Sequence, residues 1–148
     1  MGSRIPRVQA QGNGQPLDEI RIVIRSDSDL VAARQEGRRM AERLGFGGGD
    51  RTLIATAISE LARNILRYAD HGEVVLLHAN HGPREGMTVI AQDKGPGIRD
   101  VERALEVGYS TSGGLGLGLP GVRRLMDVFN VRSSSGDGTV VSATKWKP

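Results

Sequence analysis

The chain has 148 residues, 38% of them hydrophobic, 25% charged and 3% aromatic, and it carries no cysteine. That composition suits one α/β domain with an aliphatic core, and it excludes a disulfide framework, a thiol nucleophile and a thiolate metal site. Lys and Arg outnumber Asp and Glu by 20 to 17, for a net charge of +3, but the arginines are dispersed and no basic block is interleaved with aromatics, so nucleic acid is not an expected partner. No apolar run approaches the roughly 20 residues of a membrane span and no signal-peptide pattern opens the chain, so no membrane partner and a cytoplasmic location are expected.

Residues 1–18 are rich in Gln, Gly, Pro and Arg and lack periodicity, which predicts a disordered tail ahead of a single domain over residues 19–148. Residues 19–25 alternate isoleucine with charge, as a strand with one buried face does. Residues 26–29 offer several N-caps for a helix whose inner face is Leu30, Ala33, Gly37, Met40, Ala41 and Leu44, stopped by Gly45. Gly47, Gly48 and Gly49 then read as a hinge. A second helix is predicted from residue 50, with Asp50 as N-cap and Gly72 as stop, around the stripe Leu53, Ile54, Ala57, Ile58, Leu61, Ile65 and Leu66. Glu60 and Asn64, four apart, share one face of it. A polar pair beside an apolar stripe is ordinarily solvated. A carboxylate with an amide one turn later also suits magnesium–nucleotide chemistry, in which the amide oxygen ligates the ion and the carboxylate takes a proton.

Residues 73–79 and 87–92 read as strands joined by a hairpin loop over residues 81–86. The second strand runs into Asp93-Lys94-Gly95-Pro96-Gly97-Ile98. Such a sequence makes an ordinary turn, and it equally lets a loop pass close to a flat ligand, since glycine has no Cβ and Pro96 fixes φ between the two glycines. Histidines 71, 78 and 81 lack the helical spacing of a zinc pair, so no metal site is expected from them.

Residues 101–107 are predicted to form a short helix, and residues 108–119 a segment long enough to be a lid over phosphates. Within it, Gly114-Leu115-Gly116-Leu117-Gly118 alternates glycine with leucine and leads into a helix with Pro120 in its first turn and Val122, Leu125, Met126 and Phe129 on its apolar face. A solvated linker has no use for those leucines. No Gly-Lys-Ser/Thr closes the run and no alternating strand enters it, so it is neither a Walker A loop nor a Rossmann fingerprint. Residues 130–135 and 139–146 read as a final hairpin about Gly136-Asp137-Gly138. The expected architecture is α+β, a two-layer sandwich in which a mixed, mostly antiparallel sheet of about five strands carries about three helices on one face.

Taken in order, Glu60-x-x-x-Asn64, Asp93-x-Gly95-x-Gly97 and Gly114-x-Gly116-x-Gly118 resemble the N, G1 and G2 boxes of the GHKL ATPase/kinase superfamily, whose fold is the Bergerat fold. The resemblance covers nearly all of residues 19–148. The run from Gly114 to Asp127 looks most like the RsbT-type partner-switching serine/threonine kinases of bacteria. Carried over, the resemblance implies ATP and Mg2+ as cofactors, Asn64 as the magnesium ligand, and Asp93 as acceptor for the adenine amino group. It places Gly95 and Gly97 beside the base, with Gly114, Gly116, Leu117 and Gly118 at the phosphates. Thr139 is implied as an adenine-side hydrogen-bonding group and Glu60 as the general base. Family members often have histidine where Tyr68 stands. The implied partners are STAS-domain antagonist and scaffold proteins of a stressosome, phosphorylated on serine or threonine, and a PP2C-type phosphatase that the released kinase activates. The alternatives are an anti-sigma factor that sequesters a sigma factor, and a nucleotide-gated interaction module without catalysis. A stand-alone histidine-kinase catalytic domain fits less well, because no segment resembles a dimerising helix hairpin with a phosphoacceptor histidine.

Overall fold

The computed structural model describes residues 19–95, 118–134, 136 and 138–148. Within them the chain order is β1 (Glu19–Ile24), α1 (Asp27–Arg43), α2 (Gly48–Tyr68), β2 (Gly72–His81), β3 (Arg84–Asp93), α3 (Gly118–Leu125), β4 (Val128–Ser134) and β5 (Gly138–Trp146). The strands form one open sheet in the order β1-β2-β3-β5-β4. Every pairing in it is antiparallel. The architecture is the α+β arrangement expected, with three helices among the described residues.

The alternation of the strands decides which face carries the helices. Ile24 of β1, Val74 and Leu76 of β2, Met87, Val89 and Ala91 of β3, and Val141 and Ala143 of β5 all enter the core built with the helices. The side-chain period of two puts Val75, Leu77 and Ile90 on the opposite face, where they form a small separate cluster with Val140. α1 begins at the N-cap Ser26, whose side chain accepts the Asp29 N–H. It ends before Gly45, which takes φ +91°. Its predicted inner face is buried, except that Leu44 is only partly so.

α2 is the spine of the helical layer. Ile54, Ile58, Leu61 and Ile65 are each at most 2% exposed. Burying such a side chain is worth about 1.5–3 kcal/mol, so this one stripe dominates the packing of the layer. The glycines ahead of it are not a hinge: Gly47 is the N-cap, Gly48 the first helical residue, and Asp50 lies in the first turn. An acid there still favours the positive end of the helix dipole, so the helix starts earlier without losing the interaction that marked its start. At the other end, the helix stops at Tyr68 and Gly72 opens β2.

The connection between β2 and β3 is tighter than the sequence suggests. The strands pair out to His81 and Arg84, leaving only Gly82 and Pro83 in the turn. Gly82 takes φ +61° and Pro83 fixes φ after it, which matches a glycine-first hairpin turn. Cross-strand contacts support the added length: the Arg84 guanidinium stacks 4.6 Å from the Trp146 ring centre. Phe129, expected on the helix after the glycine run, lies instead in β4, where it packs partly buried against the core. α3 ends at Leu125, whose carbonyl accepts a bond from Lys145 Nζ at 3.1 Å. The predicted helix over residues 101–107 and the lid segment up to residue 117 lie outside the described residues.

Candidate nucleotide site

The site is built where α2, the start of α3 and one end of the sheet meet. Glu60 lies inside α2 and is 6% exposed. A carboxylate so deeply buried needs partners, and among the described residues it has two. Oε1 accepts the backbone N–H of Gly118 at 3.1 Å, and Oε2 accepts a hydrogen bond from the Arg63 guanidinium one turn later. Gly118 is the first residue of α3, so the first box and the last glycine of the third are joined directly.

Asn64 follows Glu60 by one turn and is partly buried. Tyr68 follows by another and is 50% exposed, with the Arg67 guanidinium 6.0 Å from its ring centre. Glu60, Asn64 and Tyr68 therefore run down one face of α2 over eight residues, about 12 Å of helix rise. At the Tyr68 end the helix meets the second box. A Cβ on Gly95 would stand 2.8 Å from Ala69 Cβ and 3.0 Å from the Tyr68 carbonyl, so only glycine lets the loop lie against the helix end. A cavity of about 310 Å³ opens there, lined by Arg67, Tyr68, Asp70, His71 and Lys94 among others.

Asp93 is the last residue of β3. Its Oδ1 accepts the Gly95 N–H at 2.8 Å, and the backbone of Thr139 supplies a second bond. Burial raises its pKa above the ordinary 3.8, and the two backbone bonds partly oppose that rise. Thr139 is 8% exposed and lies directly opposite Asp93 across the β3–β5 pair. The close approach depends on its neighbour: Gly138 takes φ +84°, and a Cβ there would stand 2.2 Å from the Asp93 carbonyl oxygen. Thr139 Oγ1 is in turn 2.8 Å from Ser133 Oγ on β4.

Of the residues singled out in the sequence, the structure thus brings Glu60 to Gly118, and Asp93 to Gly95 and Thr139. Gly97, Gly114, Gly116 and Leu117 lie outside the described residues. Two participants escaped the sequence reading. Arg63 looks like one more surface arginine, although its spacing of three from Glu60 was a signal. Ser133 carries no local signal, because only the β4–β5 register places it beside Thr139.

The sequence model of the histidine kinase-like ATPase domain matches residues 24–145. The chain belongs to the histidine kinase-like ATPase family. Among members of this family it is 50% identical over 129 residues to the serine/threonine-protein kinase RsbT of Bacillus subtilis, covering 87% of this chain and 97% of that one. Two anti-sigma F factors are more distant. That of Caldanaerobacter subterraneus is 30% identical over 63% of this chain and 68% of its own length, and that of Clostridium acetobutylicum 32% identical over 62% and 67%. The crystal structure of the RsbU and RsbW domains of Rv1364c from Mycobacterium tuberculosis shares the fold at a TM-score of 0.60 and 18% identity, covering 90% of this chain and 34% of that one. This ATPase-family chain is therefore an ATP-using enzyme of the GHKL group. No helix of its described residues is long and apolar enough to cross a membrane.

Proposed function

We propose that this chain is an ATP-dependent serine/threonine protein kinase that acts as a switch: it phosphorylates STAS-domain antagonist or scaffold proteins and, once released, binds and activates a PP2C-type phosphatase. The observation that carries the reading is the 50% identity to a serine/threonine-protein kinase over 97% of that protein's length. The geometry supports it. α2 supplies Glu60 to the start of α3, carries Asn64 one turn later and ends against the loop after Asp93, an arrangement with one end suited to phosphate and the other to a base.

At the base end, Asp93 and Thr139 accept hydrogen bonds from the adenine amino group, and Gly95 lets the ring lie close to the backbone. At the phosphate end, the Gly118 segment presents backbone N–H groups to the anion. Asn64 fits as a magnesium ligand. It is a hard, neutral oxygen donor on the face shared with Glu60, and one protein oxygen suffices for an ion that keeps several waters and takes the rest of its shell from phosphates. When bound, the ion neutralises charge on the phosphates.

Glu60 is the general base. It orients the serine or threonine hydroxyl of the partner protein and accepts its proton as the oxygen attacks the γ-phosphorus and ADP leaves. To do so it exchanges the Gly118 bond for the incoming hydroxyl, which couples catalysis to the position of α3. Arg63 keeps the carboxylate aimed. Phosphate on the partner then weakens that interface relative to the next one, since a switch needs differential affinity for two states.

The test is transfer of γ-labelled phosphate from Mg-ATP to proteins of the source lysate, with wild type and with Glu60→Ala. A labelled band with acid-stable phosphate that vanishes with the variant supports the kinase. ATP binding without any label sinks it. The matches to two anti-sigma F factors favour a second reading, an anti-sigma factor that holds a sigma factor in a stable complex whether or not it turns over ATP.

A further inference from the structure

Three side chains stand in a row at the end of the sheet that holds the second box. Asp93 closes β3, Thr139 is its register partner on β5, and Ser133 is the register partner of Thr139 on β4. Register partners project from the same face. Here it is the face that carries the helices, because Ala91 and Val141, each two residues away in its strand, enter the helical core.

The hydrogens in this row can be assigned by counting. Ser133 Oγ lies 3.0 Å from the Gly138 carbonyl oxygen and 2.8 Å from Thr139 Oγ1. A carbonyl only accepts and a hydroxyl has a single hydrogen. The Ser133 hydrogen is therefore spent on Gly138, and the hydrogen between the two hydroxyls comes from Thr139. Thr139 is left with lone pairs and nothing to donate. The ionised Asp93 beside it also only accepts.

We infer that Ser133 is a specificity-determining positioning residue: by fixing the direction of the Thr139 hydrogen it makes the Asp93–Thr139 pair acceptor-only. Such a pair favours a purine with an exocyclic amino group and disfavours one with a carbonyl at the same ring carbon. Asp93 alone gives part of this discrimination. Without Ser133 the Thr139 hydroxyl would rotate and donate to a carbonyl, so the second part would be lost. The inference rests on the adenine-nucleotide reading above and adds a residue that the three boxes do not contain.

The probes are ADP and inosine diphosphate, in which a carbonyl replaces that amino group and N1 carries a hydrogen. Equilibrium binding of each is measured by calorimetry, with folding of every variant checked by thermal melting. Wild type is expected to prefer ADP. Ser133→Ala is expected to lower the ADP-to-inosine diphosphate preference by about five- to tenfold, the worth of one net hydrogen bond, and Ser133→Thr, which keeps the hydroxyl, to retain it. Thr139→Val should lower the preference likewise, and adding Ser133→Ala to it should lower it no further. An unchanged preference in Ser133→Ala overturns the inference, as does an unchanged preference in Thr139→Val should the alanine variant fail to fold. If wild type binds neither nucleotide, the adenine reading falls and takes this inference with it. If wild type prefers ADP and Ser133→Ala does too, to the same degree, only the inference falls.

Discussion

Glu60 Oε1 accepts the backbone N–H of Gly118 at 3.1 Å, across 58 positions of sequence. The bond ties the middle of the longest helix to the first residue of the helix that follows the glycine run. A carboxylate with a catalytic assignment is thus also a structural link, and substitutions at this position separate the two roles. Glu60→Gln keeps an oxygen for Gly118 and loses the charge facing Arg63. It should cost about 1–3 kcal/mol of stability and lower phosphotransfer by roughly 10²- to 10⁴-fold. Urea melts and a phosphotransfer assay on the same preparation check both numbers. A variant that keeps wild-type transfer would remove Glu60 from the chemistry.

Asp93 presents a trade-off between stability and binding. Its folded-state pKa is raised by burial, so the folded chain holds the proton more tightly than the unfolded chain does. The resulting stability is fully present below the ordinary value of 3.8 and is lost as pH rises through the higher folded value. At neutral pH the ionised side chain is therefore a net burden on the unliganded fold. Asp93→Asn should melt at or above the wild-type temperature at pH 7, and its advantage should shrink on acidification. Nucleotide affinity should nevertheless fall about tenfold to a hundredfold, because a hydrogen bond to a charged acceptor is lost. Melting curves from acid to neutral pH, paired with ADP titration, test the signs.

Gly138 has no room for a side chain. Its φ of +84° and the 2.2 Å approach of an added Cβ to the Asp93 carbonyl oxygen act together. Gly138→Ala should cost about 1–3 kcal/mol for the backbone conformation alone and should displace Thr139 from Asp93. Chemical denaturation reads the first effect and weakened ADP binding the second.

Ile58 lies in the stripe of α2 with no exposed surface. Ile58→Ala should destabilise the domain by about 2–5 kcal/mol. Its midpoint of urea unfolding should drop without a change in slope. Phosphotransfer per folded molecule should stay near wild type, because Ile58 touches the core and not the site.

Lys145 caps the last turn of α3, bonding the Leu125 carbonyl at 3.1 Å. Its amine also lies 3.7 Å from Asp127 Oδ1. Lys145→Met keeps most of the buried stem and removes the charge, and it should cost about 1.5–3 kcal/mol. Hydrogen exchange of α3 amides should rise more than that of α2.

The sequence by itself determined the elements and their faces. The stripes of α1 and α2 are legible because helical periodicity is local: of the residues predicted from spacing, Leu30, Ala33, Met40 and Ala41 and then Ile54, Ala57, Ile58, Leu61 and Ile65 are enclosed by the core, Leu44 and Leu66 pack at its edge, and Leu53 is only partly buried. The three boxes are legible for the same reason, since each is a short pattern whose members are neighbours in the chain. What needed the tertiary structure is every relation between segments. The Gly118 bond to Glu60, the loop at Gly95 resting on the end of α2, and the row Asp93, Thr139 and Ser133 all join residues brought together by strand register and helix docking. Even the two-residue turn at Gly82 was set this way, local preference for a longer loop giving way to cross-strand pairing. Propensity fixes what a segment can be. Contacts between distant segments decide which atoms meet, because their energies outweigh the fraction of a kcal/mol by which a single residue prefers one backbone state.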